Sequence, residues 1–102
     1  MRSARVDKNQ TEIVEGLRAI GASVQSLATV GKGVPDLLVG YRGRNWLLEV
    51  KGKAGTLTAP QITWHAEWRG RVYVVRDAGE AISLISEAHK KQKVSDNDQN
   101  VG

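Results

Sequence analysis

Three charged residues lie in a segment whose pattern otherwise predicts a β-hairpin. Two short apolar runs flank the polar turn 42–45, and their composition and spacing are typical of paired strands. Asp36 precedes the first run, whereas Glu49 and Lys51 close the second. Two carboxylates held close together repel each other unless a cation lies between them. This set of side chains therefore predicts a site for a divalent cation.

Strand parity predicts that the three charges share one face of the sheet. Side chains alternate along a strand, so Glu49 and Lys51 point to the same side. Either a four-residue loop at 42–45 or a two-residue turn at 43–44 predicts that Asp36 lies opposite Lys51. Both faces are largely apolar, which favours a central, covered strand pair. One face carries Asp36, Leu38, Leu47, Glu49 and Lys51, and the other carries Leu37, Val39, Trp46, Leu48 and Val50.

The chemistry of these groups favours hydrolysis of a phosphodiester. Mg²⁺ suits such a pair of carboxylates because it prefers hard oxygen ligands and keeps several waters. The backbone carbonyl of Val50, between Glu49 and Lys51, offers a third oxygen. A metal so placed activates a bound water and neutralises charge on a phosphate, while Lys51 orients that water or stabilises the pentavalent state.

The motif at this hairpin resembles that of a known nuclease superfamily. Pro35-Asp36 followed by Glu49-Val50-Lys51 is similar to the PD-(D/E)xK signature, and the surrounding sequence resembles its stand-alone, phage-type VRR-NUC branch. The resemblance implies an α/β fold with the restriction-endonuclease-like αβββαβ core, a mixed central sheet flanked by helices, and an extra C-terminal helix. It also implies a nuclease that uses Mg²⁺, or Mn²⁺ in its place. The wider match comprises Gly-x-Gly-x-Pro-Asp-Leu-Leu at 31–38, Leu-Thr-Ala-Pro-Gln-Ile-Thr-Trp-His at 57–65 and Val-Tyr-Val-Val-Arg at 72–76.

The first helix is predicted to begin near Asn9, after a loose basic segment at 1–7, with Asp7 or Asn9 as its cap. In many PD-(D/E)xK nucleases a glutamate on this helix binds metal, and the resemblance places Gln10 at that position. An amide is a weaker ligand than a carboxylate, although it can hold a metal-bound water or a phosphate. Glu12 is the other candidate, and both residues also have an ordinary helical interpretation.

The second helix carries another amide that the resemblance places in the site. Thr58 and Gln61 have the spacing of a capping box, with Pro60 tolerated in the first turn. The resemblance instead gives Gln61 a supporting role beside the catalytic lysine, and the sequence favours neither role over the other. His65 has no second histidine or carboxylate at ligand spacing, so we predict no chemical role for it. The other predicted elements are a strand over 22–30 that leads into a glycine loop at 31–33, a flexible connection at 52–55, a strand at 71–76 and a helix from Asp77 that fades at 89–93.

Length and composition predict one basic domain. The chain has 102 residues, a net charge of +4 and a pI near 9.7, which favours a polyanionic partner. We expect a nuclease domain at 1–93 and a disordered polar tail at 94–102. There is no cysteine and no apolar run of membrane-spanning length, so the expected location is the cytoplasm of a bacterium or of a phage-infected host. Neither a membrane nor a small-molecule substrate is expected.

DNA is the expected substrate. We expect the protein to recognise the structure of the DNA and not its sequence, because one compact domain leaves no separate module for sequence recognition. The resemblance to Holliday junction resolvases implies a homodimer that makes paired cuts in a four-way junction. The alternatives are a flap or branched-DNA nuclease of a phage replication module, and a non-catalytic nucleic-acid-binding protein. The residues expected to contact the DNA backbone are Lys32, Arg42, Arg44, Lys53, Arg69 and Arg71.

Overall fold

The computed structural model describes residues 4–87, with side chains from Lys8 onward. The predicted order of helix, three strands, helix, strand and helix is confirmed, as is the α/β class. The last helix, α3, begins at residue 78 and reaches the end of the described range, so the predicted tail at 94–102 and the domain boundary at 93 lie outside it. The other elements are α1 Ala4–Ala19, β1 Ser23–Ser26, β2 Leu37–Tyr41, β3 Arg44–Val50, α2 Ala59–Glu67 and β4 Val72–Val75.

The strands form one mixed sheet in the order β1-β2-β3-β4. β2 pairs antiparallel with both β1 and β3, whereas β4 runs parallel to β3. The predicted apolar face of the hairpin is confirmed as the core, because all five of its residues are buried. Ile13 and Leu17, one turn apart on α1, and Ala81 and Ile85 on α3 complete this core. Gly16 of α1 has no side chain, which allows α3 to pack close to α1.

The hairpin closes through a two-residue turn at 42–43, where the sequence predicted a four-residue loop at 42–45 or a two-residue turn at 43–44. Arg42 has φ 49° and Gly43 has φ 80°, which are the two positive values of a type I′ turn, and Tyr41 pairs with Arg44. The predicted register was therefore wrong by two residues: continuing the observed pairing places Asp36 opposite Glu49 instead of Lys51. Because a shift of two residues preserves parity, the assignment of side chains to the two faces is unchanged.

Two predicted boundaries were also wrong. Helix α1 begins at Ala4, so neither Asp7 nor Asn9 is its cap and residues 4–7 are helical. Strand β1 ends at Ser26, because Ala28 N–H donates to the Ser26 hydroxyl at 3.2 Å and the chain turns away from the sheet. The earlier start lengthens α1 by more than one turn, and Asn9 lies within the helix. No helix within residues 4–87 has the length and apolar character needed to cross a membrane.

The glycine loop lies against the first turn of α2. Gly31, Lys32 and Gly33 have φ values of 72°, 57° and 84°, all in the left-handed region that glycine tolerates best. A Cβ on Gly33 would lie 2.3 Å from the Pro60 carbonyl oxygen, whereas a Cβ on Gly31 would meet nothing within 4 Å. Gly33 therefore sets how closely the loop approaches the helix.

We expect Gly33→Ala to destabilise the fold much more than Gly31→Ala. Both changes place a side chain in the left-handed region, at a cost of about 1–2 kcal/mol. Only the Gly33 change also forces a methyl group into the backbone of α2, which adds about 1–3 kcal/mol. Urea denaturation of both variants measures the difference. Equal losses of unfolding free energy would show that the contact with Pro60 is not tight.

Candidate active site

Asp36 is fixed beside the end of β3. Its Oδ2 accepts a hydrogen bond from the Val50 N–H at 2.8 Å, and its main-chain carbonyl accepts one from the Leu27 N–H at 2.8 Å. The N–H and C=O of a strand residue point to the same side of the strand, so the Val50 carbonyl faces the side on which Asp36 lies. The structure thus brings together the carboxylate and the carbonyl that the sequence predicts as oxygen ligands.

Glu49 is the only charged residue with a buried side chain among the described residues, with 1% of its surface exposed. Two groups of α2 contact its carboxylate. Gln61 Nε2 donates to Oε2 at 3.3 Å, and His65 Nε2 lies 3.3 Å from Oε1. A carboxylate with so little contact with water requires such partners, and α2 supplies them from positions one turn apart.

Gln61 completes the predicted capping box and also contacts Glu49. Its Oε1 accepts from the Thr58 N–H at 2.9 Å, and its own N–H donates to Thr58 Oγ1 at 3.4 Å, which completes the predicted capping box. Its Nε2 is the group that donates to Glu49. The two ends of one amide therefore join the start of α2 to the buried carboxylate.

For the metal-dependent cleavage that the sequence motif predicts, we expect Gln61→Glu to lower the rate about 10- to 100-fold, the range for partners of metal ligands. The variant keeps an acceptor for Thr58 N–H but loses the donor to Glu49 and places negative charge beside it. Thr58→Ala is the matched control: we expect it to lower stability by about 1 kcal/mol while the rate below the melting temperature stays close to the parent's. Equal rates for Gln61→Glu and the parent would remove Gln61 from the site.

The sequence did not place His65 in the charged cluster, yet its Nε2 lies 3.3 Å from Glu49 Oε1. Burial, followed by the positive charge of Lys51, lowers the pKa of His65 below its ordinary value, which favours the neutral imidazole. The available signal was its position four residues after Gln61, on the same face of α2.

Lys51 is half-buried at the end of β3, and hydrogen bonds hold both its backbone N–H and its backbone carbonyl. Its N–H donates to the Val75 carbonyl at 3.1 Å. Asn9 Nδ2 donates to the Lys51 carbonyl at 3.2 Å and to the Arg76 carbonyl at 3.1 Å, which ties α1 to the ends of β3 and β4. The positive charge of Lys51 is the second cause, after burial, that lowers the pKa of His65.

The connection at 52–55, predicted to be flexible, is anchored by Arg76. One guanidinium nitrogen of Arg76 donates to the Gly52 carbonyl at 2.6 Å and to the Gly55 carbonyl at 2.8 Å. Within the connection, the Gly55 N–H donates to the Gly52 carbonyl at 3.1 Å. Neither Asn9 nor Arg76 was identified from the sequence, because carbonyl acceptors leave no residue-type signal.

The remaining predicted residues are dispersed. On α1, Gln10 is half-buried whereas Glu12 is exposed, so only Gln10 is turned toward the interior. All six residues predicted to contact DNA are exposed. Lys32 and Lys53 lie in the loops before β2 and after β3, at the end of the hairpin that carries the carboxylates. Arg42 and Arg44 lie at the other end, over the rings of Tyr41 and Trp46, and Arg69 and Arg71 lie between α2 and β4.

The oxygen donors at this end of the hairpin fit a magnesium ion. Within residues 8–87, no three His, Cys, Asp or Glu side chains are grouped to hold a metal, which disfavours a closed protein cage. Mg²⁺ is usually bound by one or two carboxylates and completes its coordination with water and substrate phosphate. Asp36, Glu49 and the Val50 carbonyl are donors of that kind, and all belong to the paired ends of β2 and β3.

Comparison with known proteins identifies the family. No family model matches the sequence, and no curated protein matches it. A solved structure described as a VRR_NUC domain is 30% identical, with a TM-score of 0.67, and the match covers 82% of this chain and 97% of that one. Such identity over almost the whole of that chain, with the same fold, is more than a shared architecture. The chain therefore belongs to the VRR-NUC family of the PD-(D/E)xK nuclease superfamily.

Proposed function

We propose that the protein is a Mg²⁺-dependent, structure-selective DNA endonuclease. The observation that supports this most directly is the convergence at one end of the hairpin: Asp36 bonded to the Val50 N–H, and the buried Glu49 held by two groups of α2. Lys51 follows Glu49 by two residues at the end of β3. Membership of a nuclease family and the net charge of +4 agree with a nucleic-acid substrate.

Each residue has a distinct task in the proposed hydrolysis. Asp36, Glu49 and the Val50 carbonyl would hold Mg²⁺, or Mn²⁺ in its place, and Gln10 would contact a metal-bound water. The ion, when bound, supplies a water of lowered pKa and neutralises negative charge on the phosphate. Lys51 orients the attacking water and stabilises the charge that develops on the phosphate oxygens. Gln61 and His65 hold the Glu49 carboxylate in place by hydrogen bonds.

We propose branched DNA as the substrate, with the four-way junction cut by a homodimer as the leading case. Two coordinated cuts need two sites, which a two-fold dimer supplies. The exposed cations, Lys32 and Lys53 nearest the carboxylates, would contact DNA phosphates and make binding weaken as salt rises. A flap or nicked branch is the second candidate, because it needs only one cut and one site.

The experiment is incubation of the protein with labelled four-way junction, flap and linear duplex DNA in Mg²⁺, Mn²⁺ or EDTA. We expect metal-dependent cleavage of branched substrates. Symmetric nicks on the junction would select the resolvase function, whereas cleavage of flaps alone would select its alternative. Absence of cleavage of every substrate in both metals would contradict the proposal. A monomer by light scattering with junction bound would rule out paired cutting.

A further inference from the structure

A groove of about 560 Å³ lies between the glycine loop and α2, beside the candidate active site. The side chains of Lys32, Thr63, Trp64 and Glu67 line it together with the first turn of α2. The contact between Gly33 and the Pro60 carbonyl fixes the separation of its two walls. None of the residues that line the groove has a part in the proposed hydrolysis except Lys32, as one of several exposed cations.

Trp64 presents an aromatic surface whose orientation is already fixed. Its ring stacks on that of Trp68, with centroids 4.7 Å apart and planes 16° apart. The ring of His65 meets it edge-on, with centroids 6.3 Å apart. A large aromatic side chain that is held in place loses little conformational freedom when a flat ligand stacks on it.

The charges of the groove match a nucleotide better than a simple anion. Lys32 is exposed and suits a phosphate oxygen, whereas Glu67 would repel one. A carboxylate does, however, accept hydrogen bonds from the exocyclic amino group of a base, and the Thr63 hydroxyl can donate or accept. An aromatic surface, a cation and acceptors therefore lie in one groove.

The groove and the candidate site are built on the same two elements. The glycine loop that carries Lys32 leads into Asp36, and α2, which carries Trp64, also carries the two residues that contact Glu49. The close approach of Gly33 to the Pro60 carbonyl holds these two elements together, so a DNA strand whose phosphate lies at the carboxylates would bring a neighbouring nucleotide within reach of Trp64. Paired bases are stacked within a duplex and do not present a free face, so only an unpaired or unstacked nucleotide could enter.

We propose that this groove binds an unpaired nucleotide at the branch point of the DNA, stacked on Trp64 with its phosphate near Lys32. The inference rests on the proposed nuclease function and deepens it, because it names the feature of branched DNA that the protein recognises. It predicts preference for a substrate with an unpaired or unstacked nucleotide next to the cleaved bond.

The test measures binding without cleavage. The full chain is titrated in EDTA with a single-stranded oligonucleotide carrying 2-aminopurine, and with a fully paired duplex of the same sequence. We expect the fluorescence of 2-aminopurine to be quenched by stacking, and Trp64→Ala to weaken single-strand binding about 5- to 150-fold. Ile62→Ala, on an exposed apolar residue of the same helix that does not line the groove, should bind like the parent.

Lys32→Ala provides a second variant in an exposed loop, should Trp64→Ala fail to fold. We expect it to keep the quenching of 2-aminopurine and to reduce the slope of log affinity against log salt by about 1. Equal single-strand affinity for folded Trp64→Ala and the parent would overturn the proposal. So would a Trp64→Ala protein that loses only self-association, since a second copy would then be the occupant.

Failure of the nuclease function is distinguishable from failure of the groove. A parent protein that cuts nothing but binds single strands through Trp64 would contradict the proposed function and support the groove. A parent that cuts branched DNA in Mg²⁺ while Trp64→Ala binds and cuts equally well would support the function and overturn the groove.

Discussion

We expect Asp36→Asn to reduce cleavage by at least about 10³-fold while the protein stays folded. The amide oxygen of asparagine can still accept the hydrogen bond from the Val50 N–H, so the end of β3 keeps its support. What is lost is one of the two negative charges that would bind the metal. Single-turnover cleavage of a four-way junction in Mg²⁺ measures the change, and gel-shift binding in EDTA verifies that DNA affinity is retained.

Asp77→Asn is a matched control for this substitution. Asp77 Oδ1 accepts from the Glu80 N–H at 2.7 Å at the start of α3, and asparagine serves equally well in that position. Both variants lose one negative charge through the same chemical change. We therefore expect the Asp77 variant to cut like the parent. A comparable loss in the two variants would mean that overall charge, and not a metal ligand, explains the result.

The sequence predicted the faces of the hairpin better than its register. Parity depends only on alternation, so Glu49 and Lys51 were assigned to the correct face even though the pairing was wrong by two residues. The turn was mispredicted because Arg42 adopts a positive φ, which non-glycine residues seldom do and which a pattern based on glycine overlooks. When the pairing of β2 with β3 is continued by one residue, Asp36 lies opposite Glu49. The two carboxylates are therefore closer together than the sequence predicted.

The parts of the site that escaped prediction are contacts between distant elements. His65 contacts Glu49 only because α2 packs its inner face over the end of β3, and no local pattern contains that packing. Asn9 and Arg76 bond to backbone carbonyls, which every residue possesses, so their partners cannot be inferred from residue types. Gln61 was the intermediate case, because its capping role is local and its contact with Glu49 is not.

The boundary of α1 illustrates a different limit. Residues 1–7 lack apolar periodicity, and periodicity was the only basis for placing the helix start at Asn9. The helix begins instead at Ala4, and Asn9 within it donates to the carbonyl groups at the ends of β3 and β4. A hydrophobic pattern records neither a helical turn outside the apolar stripe nor contacts to backbone carbonyls.

Lys51→Ala is the substitution for which we expect the second large loss, about 10²- to 10⁴-fold in the rate of the cleavage step. Lys51 is half-buried beside Glu49 and His65, and its backbone is held by Val75 and Asn9 through its N–H and C=O, which alanine retains. The strand end should therefore keep its position while the ammonium group is removed. Single-turnover cleavage at saturating DNA measures the step without a contribution from binding.

Lys53→Ala provides the comparison that separates chemistry from DNA contact. Lys53 is the same residue type two positions further on, but it is exposed and lies in the loop anchored by Arg76. Its loss should weaken DNA binding and reduce the salt slope by about 1, with the saturated rate retained. If Lys51→Ala behaved in the same way, with lower affinity but an unchanged saturated rate, Lys51 would be a DNA-contacting residue and Asp36 and Glu49 would act without it.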